Sequence, residues 1–303
     1  MVGLALGKFF EVNGYKNIIK RTHSELDLIN QEQTLQFFKD ENPEYLFLLA
    51  AKVGGINAND KYRGQFIYEN LMIQNNVMHS AHKSGVKKLI FIGSACIYPK
   101  FSKQPISENE LLNGYLEKTN EPYAVAKIAG IKLCQSYFEQ YKNNFISLMP
   151  NNLYGPNDNF DLETSHVIPA LIRKFHQAKL SSKDQVTVWG TGNPQREFVH
   201  VDDLVSAMIF TMKNIDAKQI YTRGISHINI SSGEEVSIRE LASLIKMIVG
   251  FQGEIKFDDA KPDGTPRKVL DGSFLKQLGW ISKIGLEDGL QSLYSWYKNQ
   301  HTP

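Results

Sequence analysis

The sequence predicts an α/β protein built on a doubly wound parallel sheet, with a smaller C-terminal lobe. Three observations predict it. Short apolar runs alternate with helix-length segments through about residue 150, which is the order of repeated strand–helix–strand units. The runs are apolar at successive positions, as strands covered on both faces are. The alternation loosens after Gly155-Pro156, where a second lobe begins to be built.

The elements follow in order. Tyr45 to Ala51 reads as a strand buried on both faces, and Ile67 to Ser84 as a helix. Lys88 to Gly93 is the next strand, Pro122 to Tyr141 a helix, and Phe145 to Met149 a strand that stops at Pro150. Helices are expected at His166–Lys179, Val201–Met212, Ile238–Val249 and Leu286–Tyr297, with short strands at Val186–Trp189 and His227–Ser231. Lys261 to Arg267 is an extended loop. The expected division is a dinucleotide-binding domain over 1–163 plus roughly 196–232, and a substrate lobe over roughly 164–195 and 233–303.

The opening is unusual. Met1-Val-Gly-Leu-Ala-Leu-Gly7 reads as the start of a helix. A dinucleotide fold normally begins with a buried strand and a glycine-rich turn, about a dozen residues together. Only Gly3 and Gly7 stand where that turn would be, so the first strand is expected to lie before the numbered Met1.

The net charge is +2 and no block of Lys or Arg stands out, which gives no reason to expect a nucleic-acid partner. Two cysteines, Cys96 and Cys134, form neither a disulfide framework nor a zinc site, so no metal and a cytoplasmic location are expected. No apolar run reaches the length of a membrane span.

The chemistry centres on Tyr123 and Lys127. Four residues apart on a helix, they project from one face. An ammonium beside a phenol favours the phenolate and lowers its pKa from about 10. Ser94, at the end of the strand before that helix, supplies a hydroxyl that holds a carbonyl oxygen. Together these groups interconvert a ketone and an alcohol once a nicotinamide carries the hydride. Cys96 lies two residues beyond Ser94, on the same side if the strand stays extended. Its thiolate is a candidate base for protons next to the ketone, which the enolate acidifies. The plain alternative is a small buried hydrophobe, as expected for Cys134. Arg196 offers a planar fork that suits phosphate oxygens.

Seven segments carry a resemblance along nearly the whole chain: 50–55 (AAKVGG), 93–100 (GSACIYPK), 120–132, 152–156 (NLYGP), 165–170 (SHVIPA), 196–203 (REFVHVDD) and 261–268 (KPDGTPRK). On these the chain resembles the GDP-L-fucose synthase family of extended short-chain dehydrogenase/reductases. The resemblance implies a Rossmann-like homodimer. Such an enzyme epimerises C3 and C5 of GDP-4-keto-6-deoxymannose and reduces C4 with NADPH.

It also implies roles. Ser94, Tyr123 and Lys127 would serve the reduction, and Cys96 with His166 the epimerisation, His166 returning protons from the opposite face. The cofactor would meet Gly3, Arg21, Asp27, Leu28, Ala50, Lys127, Asn152 and His166. The GDP-sugar would meet Asn152, Lys174, Trp189, Arg196, Arg267 and Lys268, with Trp189 either packing on guanosine or filling the lobe. Arg21 would pair with the 2′-phosphate of NADPH; His23 stands where the family often has a second arginine, which leaves NADH as an alternative cofactor. Three other readings stay open: a C4 reductase of a related GDP-4-keto-6-deoxy sugar such as a heptose, a non-catalytic dinucleotide-fold binding protein, and a dehydratase or C4-epimerase relative. The last lacks the carboxylic acid that such enzymes place near the serine, where this chain has Cys96.

Overall fold

The structure is a computed structural model that describes residues 1–261 and 263–301. Pro262 of the late loop and the last two residues of the expected substrate lobe lie outside the described residues. The strands are β1 (Tyr45–Leu48), β2 (Lys88–Ile92), β3 (Phe145–Pro150), β4 (Asn152–Tyr154), β5 (Gln185–Trp189), β6 (Gln195–His200), β7 (Ile228–Ile230), β8 (Glu235–Ser237), β9 (Glu254–Asp258) and β10 (Arg267–Lys268). The helices are α1 (Val2–Val12), α2 (Gln31–Glu41), α3 (Ile56–Lys61), α4 (Arg63–Lys83), α5 (Glu121–Tyr141) and α6 (Val167–Leu180). They continue with α7 (Val201–Asn214), α8 (Ala217–Tyr221), α9 (Ile238–Val249), α10 (Ser273–Gln277) and α11 (Leu286–His301).

The main sheet has the order β1-β2-β3-β7, every pair parallel. Every residue of β2 and β3 is buried, because α4 and α5 cover one face and α1 and α7 the other. That arrangement is the doubly wound sheet the apolar runs call for. Strand β1 departs from expectation. It ends at Leu48 instead of Ala51, and Tyr45 at its start is 55% exposed.

The chain leaves the main sheet at Asn151. Strand β4 then pairs with β6, which is flanked by β10 and by antiparallel β8. A separate parallel pair, β5 with β9, lies in the lobe packed by α6, α9 and α11. This lobe's core draws in Tyr154, Phe160 and Phe198, while Phe274, Leu275 and Trp280 pack into the main-sheet core. Helix α9 is fixed at both ends, by a capping box of Ser237 and Glu240 and by Gly250 in the left-handed region. Strands β4, β6 and β8, absent from the sequence reading, are short or begin with polar residues. Their pairing comes from neighbours far along the chain, and no local pattern announces it.

Candidate active site

The first cluster is built at the carboxyl end of β2. Gly93 closes that strand because a Cβ there would fall 2.2 Å from Met149. Ser94 remains extended, and the chain then tightens into a 3-10 turn over Ala95–Ile97. The strand therefore does not carry Cys96 to Ser94's side by alternation, as expected. Instead the turn folds Cys96 back, so that its backbone N–H donates to Ser94 Oγ at 3.4 Å. The two side chains meet by a turn, and the Ser94 hydroxyl helps hold the thiolate form of Cys96.

Helix α5 starts at Glu121 with Pro122 in its first turn, which suits a residue without an N–H. It places Tyr123 and Lys127 over the same strand end. Lys127 Nζ donates to the Ile92 carbonyl at 2.8 Å and lies 5.7 Å from the centre of the Tyr123 ring. Phe66 of α4 meets Tyr123 edge-on at 6.3 Å. Cys96 lies in electrostatic reach of Tyr123, Lys127 and Lys268, so these four side chains share one site.

Burial dominates the protonation of this cluster. It pushes the Tyr123 phenol above its ordinary value, where a lowered one was expected. It also pulls Lys127 down to about 8. Desolvation is the largest cause for both groups, and Cys96 is the other group acting on each. Neutral Tyr123 thus holds its proton at pH 7, the state in which a phenol can give one. Burial also raises Cys96, against the charges of Lys268 and Lys127.

The second cluster sits in the smaller lobe. Trp189, 58% exposed, has Lys174 Nζ and Lys261 Nζ each 5.5 Å from its ring centre. Lys174 Nζ also donates to the Thr187 carbonyl at 3.1 Å. Arg196 lies next to Gly264 of the late loop, where a Cβ would stand 3.0 Å from its guanidinium. Burial lowers the Arg196 pKa while Asp263 supports its charge. Asp263 also accepts from Thr191 N at 2.9 Å and from Thr191 Oγ1 at 2.6 Å, which fixes the late loop against the end of β5. The sequence reading had not singled out Asp263; its position in the 261–268 segment was the available signal.

Lys268 links the clusters. It pairs in register with Arg196 across β10 and β6, and it feels both Arg196 and Cys96. Arg267 does not join it. Its guanidinium makes two bonds to Glu235, at 2.6 and 2.7 Å. Asn152 Nδ2 donates to the Glu197 carbonyl at 3.0 Å. His166, exposed, precedes α6 at its N-cap, within electrostatic reach of the Asp158 carboxylate. The preceding Thr164 closes on Gly55, where a Cβ would come 3.0 Å from the Thr164 oxygen.

Gly3 and Ala50 of the expected cofactor set flank the carboxyl end of β1, on the same side of the parallel sheet as Ser94. A Cβ on Gly3, in the first turn of α1, would lie 4.0 Å from the Leu49 side chain, just beyond the end of β1. That turn carries no acidic side chain; Leu4 N and Ala5 N donate to the Met1 carbonyl at 3.1 Å, and the N–H groups of Val2 and Gly3 precede the first intrahelical bond. A pyrophosphate fits such a helix start beside strand ends. Arg21 is bonded to Glu41 and lies 5.5 Å from the Phe37 ring, and His23 is exposed. Asp27 accepts from Ile29 N at 3.0 Å, and the Leu28 carbonyl accepts from Asn76 at 2.9 Å, so this segment is tied to α4. Ala50 is exposed. Among the described residues, no three His, Cys, Asp or Glu side chains gather as metal ligands, and no helix is long and apolar enough to cross a membrane.

A parallel doubly wound sheet with Ser, Tyr and Lys at one strand end defines an α/β nucleotide-cofactor oxidoreductase. Residues 1–230 match the NAD dependent epimerase/dehydratase family. The chain is 51% identical over 301 residues to GDP-L-fucose synthase of Escherichia coli K12, covering 98% of this chain and 93% of that one. It is 55% identical over 297 residues to putative GDP-L-fucose synthase 2 of Arabidopsis thaliana, covering 98% and 88%. A solved GDP-mannoheptose C4 reductase from Campylobacter jejuni with NADP bound superimposes with a TM-score of 0.91 at 44% identity, covering 98% and 95%. The chain belongs to the GDP-L-fucose synthase family.

Proposed function

We propose that this protein is the NADPH-dependent C4 reductase of a GDP-4-keto-6-deoxy sugar and also epimerises C3 and C5, the reaction that makes GDP-L-fucose. One observation carries this reading: Cys96 is folded onto Ser94 in the same buried site as Tyr123 and Lys127. A site for reduction alone has no use for a thiol at that point.

In the epimerase half, the Cys96 sulfur removes the proton at the carbon next to the ketone. The Ser94 hydroxyl and the cations of Lys268 and Lys127 offset the cost of burying its charge. His166, in reach of Asp158, returns a proton from the other face. In the reductase half, Tyr123 gives its proton to the C4 oxygen while Ser94 holds that oxygen. Bound NADPH supplies the hydride. Arg196, Lys268 and Lys174 hold the diphosphate and Trp189 covers the guanosine, with Asn152 orienting the sugar. Gly3, Arg21, Asp27, Leu28, Ala50, Lys127, Asn152 and His166 are the residues we assign to the cofactor. The expected two-part division, 1–163 with 196–232 and 164–195 with 233–303, then separates cofactor from sugar nucleotide. We further infer a cytoplasmic homodimer joined through α4 and α5, which leave Tyr68 and Val125 exposed.

A second reading, reduction of the corresponding heptose with the epimerase pair idle, is favoured by the likeness to the heptose C4 reductase. One experiment separates them. Each ketosugar nucleotide is offered with NADPH in deuterated water. Deuterium at C3 and C5 of the hexose product supports the first reading; reduction without deuterium entry supports the second, and no NADPH oxidation with either sugar sinks both.

A further inference from the structure

The Lys127 ammonium is held between an oxygen and an aromatic face. Its Nζ lies 2.8 Å from the Ile92 carbonyl and 4.7 Å from the centre of the Phe91 ring, nearer than the 5.7 Å to Tyr123. Phe91 is 1% exposed, so no water competes for that face. Helix α5 is shaped to admit the ring: a Cβ on Gly130 would fall 2.5 Å from it. Gln74 of α4 donates to the Ala126 carbonyl at 2.7 Å, which fixes the turn of α5 that carries Lys127.

We propose that Phe91 is a positioning residue: its ring face keeps the Lys127 ammonium charged and aimed at the Tyr123 side of the strand end. The negative face of a benzene ring attracts a cation, and a desolvated site strengthens that attraction. It works against burial, which draws the amine down to about 8, close to neutral pH. The titratable groups facing the ammonium are the Cys96 thiol from the 3-10 turn and the Tyr123 phenol on its own helix. Strand β2 contributes a carbonyl and the ring, and α4 contributes an uncharged amide. With no carboxylate among these groups, the ring adds to the Cys96 thiolate in favouring the charged form. The inference rests on reading Lys127 as the partner of Tyr123, but its first test does not involve turnover.

The test uses two variants. Phe91→Leu removes the ring, and a trifluorinated phenylalanine at position 91 keeps its shape while withdrawing charge from its face. The Lys127 midpoint is read by NMR of labelled lysine in the protein without ligands, with Lys127→Met assigning the signal. Both variants are expected to lower the midpoint by about one pH unit, a tenfold change in the proton equilibrium. The basic limb of kcat/KM should fall by the same interval. A midpoint in the fluorinated variant within about 0.2 unit of the parent overturns the proposal, whatever Phe91→Leu does to folding. If the midpoint falls and the pH profile does not, the ring still holds the charge and the reading of Lys127 as the partner of Tyr123 fails.

Discussion

Arg267 and Lys268 are neighbours in sequence, and the structure sends them in opposite directions. Arg267 is bonded twice to Glu235, while Lys268 faces Arg196 and Cys96. Adjacent residues of a strand alternate sides, so one two-residue strand can offer only one of them to the site. Lys268→Ala is expected to raise the KM for the GDP-sugar roughly 10- to 100-fold, the scale of one lost charge-assisted bond. Arg267→Ala removes a largely exposed pair and should change KM by less than about 5-fold. Steady-state kinetics of both variants checks the order; a larger effect at Arg267 refutes the assignment.

Tyr123→Phe should separate the two half-reactions. Without the phenolic proton, C4 reduction is expected to slow by about 10²- to 10⁴-fold. Exchange of the C3 and C5 protons with solvent, which uses Cys96, should continue. Mass spectrometry of the sugar incubated in deuterated water gives the result. Loss of both activities in a folded, ligand-binding variant contradicts the division of roles.

Glu197 is fully buried and joins three segments at the floor of the site. Its carboxylate accepts from Asn151 at 2.7 Å, from Leu270 N at 3.0 Å and from Gly233 N at 3.0 Å, and also from the Ser231 hydroxyl. Glu197→Gln turns an amide N–H toward donors, at about 1–3 kcal/mol for each donor left facing a donor. The urea midpoint should drop. GDP affinity should fall more than NADPH affinity, because Leu270 and Asn151 border Lys268 and Asn152. Calorimetric titration of both ligands measures the split, and equal losses would make Glu197 a purely structural residue.

His227 gives the protein an acid sensitivity. It is completely buried beside Tyr98, whose hydroxyl donates to Asn229 at 2.5 Å and so must accept from His227 Nε2 at 2.6 Å. Burial pulls its pKa to about 3. The folded-state value lies below the unfolded one, so the unfolded chain gains a proton first as pH falls. Stability is therefore complete above about pH 6.5 and is lost between there and pH 3, with a limiting slope of about 1.4 kcal/mol per pH unit. Urea titrations at pH 7 and pH 5.5 should show the parent losing about 1 kcal/mol more than His227→Gln. An equal loss would show that this histidine does not set the acid limit.

The sequence alone determined the sheet class and most of its helices, because burial on two faces and helical spacing are written into residues close together in the chain. It also placed Ser94, Tyr123 and Lys127 in one site, since a strand end and the helix after it must meet in a doubly wound sheet. Tertiary structure decided the rest. It folded Cys96 onto Ser94 by a turn and split Arg267 from Lys268. It brought Asp263 to Thr191 and Glu197 to three loops. It also raised the Tyr123 phenol that sequence spacing had suggested would fall. The reason is physical: desolvation and long-range pairing depend on what covers a residue, and the cover comes from segments tens of positions away.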